Sequence, residues 1–73
     1  MPYVHIRITR EGATAEQKAQ LIRSTTDLLV RVLNKNPATT FVVIEEVDTD
    51  DWGVGGETVT VLNQRAREQE SKR

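Results

Sequence analysis

The sequence predicts an α/β chain: a β-α-β unit with parallel strands and a C-terminal hairpin arm, assembled as an oligomer. Three observations carry this. Residues 2–9 alternate, with Val4, Ile6 and Ile8 facing one way and Tyr3, His5, Arg7 and Thr9 the other, which is the period of a strand. Between Thr14 and Leu33 the apolar residues return every three or four positions, the period of a helix. A β-rich segment, Thr39 to Val47, then follows, and its run Phe41-Val42-Val43-Ile44 suggests burial on both faces. Strands separated by so long a connection are expected to be parallel, with a right-handed crossover.

The first strand opens on Met1-Pro2. Removal of Met1 by methionine aminopeptidase would leave Pro2 with a free secondary amine. An α-amino group has a reference pKa of roughly 8, close enough to neutrality that modest desolvation or a nearby cation makes it a neutral base. Pro2 is therefore a candidate general base. His5, without a nucleophile or carboxylate partner in the pattern, reads as an interface or hydrogen-bonded histidine. After the loop Arg10-Glu11-Gly12-Ala13, Thr14 and Gln17 have the spacing of a capping box. The helix stripe is Ala15, Ala19, Ile22, Leu29 and Leu33, widened by Leu21, Leu28 and Val32, with Lys18, Arg23, Asp27, Arg31 and Lys35 on the solvent side. Asn34-Lys35-Asn36-Pro37 ends it, because the residue before a proline is pushed out of the helical region.

The acidic cluster Glu45, Glu46, Asp48, Asp50 and Asp51 reads as a solvated strand end and loop, since no cation-binding loop pattern accompanies it. The glycine-dense turn Trp52-Gly53-Val54-Gly55-Gly56-Glu57 lacks the Gly-Lys-Ser/Thr of a phosphate loop, and with the alternating Thr58 to Leu62 it predicts a hairpin or short arm. The expected organisation is one domain over 2–62 and a charged tail, frayed helix or disordered, over 63–73.

Size argues for self-association. A chain of 73 residues buries only about 60% of its unfolded surface. It has no Cys for a disulfide, and one His without Cys fits no familiar zinc spacing, so oligomerisation is the remaining way to complete a core. Neither a metal nor a cofactor is expected. Ten Lys plus Arg against eleven Asp plus Glu create no field for nucleic acid or an anionic membrane. The apolar runs are too short for a membrane span and no signal-peptide pattern is present, so a cytoplasmic location is expected.

Pro2 behind Met1, Ala15-Glu16-Gln17-Lys18 at the helix start, and Trp52-Gly53-Val54-Gly55-Gly56-Glu57 in the turn together resemble the 4-oxalocrotonate tautomerase family. The resemblance spans Pro2 to about Leu62. It implies dimers sharing a four-stranded sheet, three of them forming a homohexamer, and an amino-terminal proline that moves a proton between the keto and enol forms of an α-keto acid. It also suggests a setting in aromatic compound degradation. Proline maps onto Pro2 and the pocket aromatic onto Trp52. The family's two arginines do not map: Ala13 and Phe41 stand in their places. Arg10 in the same loop is a substitute carboxylate clamp, Arg7 is a further candidate, and Phe41 makes its side of the pocket apolar, favouring an aromatic or monocarboxylate substrate. Two alternatives remain open: a non-catalytic oligomeric module of this fold, and a hydratase or dehalogenase of an unsaturated acid. Val54, where the resembling dehalogenases carry a carboxylate, counts against the second.

Overall fold

The computed structural model of the chain describes residues 1–71. β1 (Tyr3–Thr9) leads to α1 (Ala15–Leu33), and β2 (Phe41–Val47) returns beside β1. A short hairpin, β3 (Gly53–Val54) and β4 (Glu57–Thr58), then feeds α2 (Val59–Ser71). β1 and β2 are parallel, in register from Tyr3 opposite Phe41 to Thr9 opposite Val47. The ladder continues at both ends. The Phe41 N–H donates to the Pro2 carbonyl at 3.0 Å and the Arg10 N–H to the Val47 carbonyl at 2.8 Å.

The capping box forms as the spacing predicts. Thr14 Oγ1 accepts from the Gln17 N–H at 3.1 Å, while Gln17 Oε1 accepts from the Thr14 N–H at 2.9 Å, satisfying two otherwise unpaired donors. The helix closes at Asn34, whose left-handed φ of 54° turns the following Lys35 N–H back to the Leu29 carbonyl at 3.4 Å. β2 begins two residues later than expected, at Phe41, because Pro37–Thr39 form a 3₁₀ turn. Asn36 Oδ1 caps that turn by accepting from the Ala38 N–H at 2.9 Å.

α1 covers one face of the two-stranded sheet, leaving Val4, Ile6, Ile8, Val42 and Ile44 half-buried against it. Of the expected helix stripe, Leu29 is half-buried, whereas Ala15, Ala19, Leu21, Ile22, Leu28, Val32 and Leu33 stay exposed in the single chain. Lys18 is not on the solvent side. It is half-buried and its ammonium meets the Glu46 carboxylate on β2. The opposite sheet face is open, with Tyr3 63% and Phe41 51% exposed and His5, Arg7, Val43 and Glu45 beside them. The apolar run of β2 is thus covered on one face only, and no described residue is fully buried.

The C-terminal segment differs from expectation. The glycine turn does form a hairpin, but the chain turns helical at Val59 instead of continuing as a strand to Leu62. Thr58 Oγ1 accepts from the Val61 N–H at 3.2 Å, an N-terminal cap that the β-branched alternation concealed. α2 then runs without a break through Leu62 and Asn63. It packs chiefly against β4 and the 3₁₀ turn Thr49–Asp51. The result is an elongated subunit of 51 × 24 × 21 Å. Its radius of gyration is 16.7 Å, where a compact chain of this length would have about 11 Å.

Candidate active site

Pro2 stands half-buried at the head of β1, its carbonyl tied to Phe41 by the first rung of the ladder. The Phe41 ring lies on the open face in register with Tyr3, and the Tyr3 ring lies 6.3 Å from that of His5. This end of the sheet combines the secondary amine position with a largely apolar, aromatic surface.

The other end is polar. Arg7 lines a cleft of about 260 Å³ together with Val47, Asp51, Trp52 and Gly53. Arg7 Nε lies 2.8 Å from Glu45 Oε1, its register partner across the sheet, and His5 Nε2 is 3.8 Å from the other oxygen of the same carboxylate. Trp52 is half-buried and anchored through its backbone, since its carbonyl accepts from the Val59 N–H at 2.9 Å. Thr60 braces the same turn, its hydroxyl 2.6 Å from that of Thr49 and hydrogen-bonded to Asp50. Gly55 and Gly56, at φ 61° and 88°, make the hairpin bend that returns the chain to Val59. Arg10 sits in the loop after β1, its Nε 3.6 Å from Asp48 Oδ1, and is not among the residues lining the cleft.

Five residues of strand, about 16 Å, separate Pro2 from Arg7 along β1. A single chain therefore brings Arg7 and Trp52 together, and Pro2 and Phe41 together, but not the two pairs. Glu45, paired with Arg7, and Asp51, in the cleft lining, belong to an acidic run that reads as solvated in the sequence. The pairing of Glu45 with Arg7 depends on the parallel register, which no local pattern encodes.

Of the acidic cluster, Glu46 is half-buried against α1. Hydrogen bonding from Lys18 holds its carboxyl below the ordinary range, against the opposing effect of partial burial and with further help from the charges of Lys18 and Arg10. Among the described residues no group of three or more His, Asp or Glu converges as a metal site, and no helix is long and apolar enough to cross a membrane.

Residues 2–62 match the Tautomerase family, described as "Tautomerase enzyme". The Dickeya dadantii protein named "Probable tautomerase K2" is 64% identical over 66 residues, covering 90% of this chain and 98% of its own length. The crystal structure of DmpI from Helicobacter pylori superposes with a TM-score of 0.82 at 49% identity, covering 86% of this chain and 97% of that one. A heterohexamer 4-oxalocrotonate tautomerase from Chloroflexus aurantiacus gives a TM-score of 0.77 at 31% identity, covering 85% and 98% respectively.

Proposed function

The chain belongs to the tautomerase family, and from that premise we propose that it interconverts keto and enol forms of an α-keto acid, with the Pro2 amine as general base once Met1 is removed. The observation that carries this reading is the position of Pro2: second in the chain, half-buried, and held at the sheet end by the hydrogen bond between its carbonyl and the Phe41 N–H. A base so tethered keeps its lone pair in a fixed place beside an apolar surface, where burial disfavours the protonated amine. Neutral proline takes the acidic proton of the substrate and returns it at another atom. The enolate that develops needs a cationic or N–H partner, and Arg10 or a backbone N–H fills that role.

Because Pro2 and the Arg7–Trp52 cleft lie at opposite ends of one sheet, the complete site is composite: one subunit supplies Pro2 and Phe41, a neighbour supplies Arg7 and Trp52. The open sheet face, the uncovered apolar residues of α1 and the projecting hairpin and α2 support such an assembly. A homohexamer is the proposed form, in keeping with the hexameric Chloroflexus relative. Neither a metal nor an organic cofactor takes part in this scheme.

The test is ketonisation of the enol of phenylpyruvate by the mature protein and by Pro2→Ala, both N-termini being verified by intact mass. The variant is expected to lose about a hundredfold or more of the rate, the usual contribution of a positioned base. An undiminished rate would exclude Pro2 as the base.

A further inference from the structure

We propose that Glu45 is a positioning residue: it fixes the Arg7 guanidinium so that its remaining N–H donors receive a single substrate carboxylate in the cleft beside Trp52. The inference rests on the cleft being the substrate site, as proposed above. Arg7 is a long side chain, more than half exposed in the single chain, and would otherwise sample many rotamers. Glu45 removes that freedom from directly across the sheet, engaging Nε at 2.8 Å with one oxygen while its other oxygen faces His5 at 3.8 Å. A guanidinium has five N–H donors, so this contact leaves the two terminal nitrogens for a planar, bidentate partner. The rest of the cleft lining supplies discrimination. Trp52 offers a flat apolar surface, while Asp51 on the cleft lining repels a second negative charge. The ligand class that fits is a singly charged, planar carboxylate.

Trp52 is the only tryptophan in the chain, so tryptophan-selective fluorescence reports directly on the cleft. Benzoate is the probe for binding and the enol of phenylpyruvate the probe for turnover. Glu45→Ala and Arg7→Ala are each expected to raise the benzoate Kd and the KM by about tenfold, with kcat changed by less than about threefold, as for loss of binding common to ground and transition states. The double variant is expected to be no worse than either single one, because both remove the same contact. Glu45→Gln, which keeps an acceptor at that position, is expected to restore part of the loss. A Glu45→Ala variant whose Kd and KM are unchanged or lower, or single effects that add in the double variant, would overturn the assignment. Where native mass shows that Glu45→Ala no longer assembles, the same cycle run with Glu45→Gln decides. Pro2→Ala separates the two proposals. It should lower turnover by about a hundredfold or more and leave benzoate binding and its dependence on Glu45 intact, so the binding cycle stands even if Pro2 proves not to be the base.

Discussion

At the scale of single residues, the chemistry of this chain turns on where charge is absent as much as on where it is present. Phe41 and Ala13 occupy positions at which the family resemblance places arginines, and with Phe41 beside it the Pro2 end of the sheet is apolar. The cation that lines the cleft with Trp52 is Arg7, already engaged by Glu45. A site with one available guanidinium and an Asp on its wall binds one carboxylate well and a second badly. Ketonisation is therefore expected to be at least about tenfold more efficient, in kcat/KM, for an aryl monocarboxylate enol than for a dicarboxylate enol of similar size, a difference worth about 1.4 kcal/mol. Steady-state kinetics on such a pair checks this, and equal efficiencies would argue against Arg7 as the principal clamp.

At the scale of elements, the helix-sheet contact is held by one ion pair amid a thin apolar layer. Lys18, in the first turns of α1, meets Glu46 near the end of β2 and ties the two elements together. Because the Glu46 carboxyl is held below its ordinary range in the folded chain, the native state binds its proton less readily than the unfolded state does. The stabilisation is thus present at neutral pH and lost as pH falls through the folded value. Glu46→Gln is expected to be less stable than the parent at neutral pH and to lose less stability on acidification. Denaturant midpoints across a pH series measure both, and parallel curves for the two proteins would contradict the assignment.

At the scale of the whole molecule, one subunit is an unfinished object. No described residue is fully buried, and Tyr3, Phe41 and Val43 lie uncovered on one sheet face while Leu28 and Val32 lie uncovered on α1. Burying such surface contributes about 25 cal/mol per Å², so folding and association should be coupled. Val43→Asp puts a charge at the centre of the open face, between Phe41 and Glu45 on β2. It is expected to lower the native mass and to make helix content depend on protein concentration. An unchanged native mass and melting profile would mean that this face is not an interface.

How much of this was legible beforehand depended on the range of the forces involved. The capping box at Thr14 and Gln17, the alternation of β1 and the helical period of α1 are local, and each was read from a few neighbouring residues. The strand predicted for Thr58 to Leu62 failed because alternation of β-branched residues is only a propensity. Thr58 accepting from the Val61 N–H, together with anchoring of Trp52 and Thr60 to the preceding turn, outweighs it. Lys18 looked like a solvent residue because its partner, Glu46, lies 28 positions away. For the same reason Glu45 passed as one charge in an acidic run until the parallel register set it against Arg7. By itself the sequence determined the order of elements, the strand and helix periods and the place of Pro2, all matters of local stereochemistry. Tertiary structure alone decided which distant charges meet and that Pro2 and Trp52 fall at opposite ends of one sheet, because register and crossover are set by packing between segments far apart in the chain.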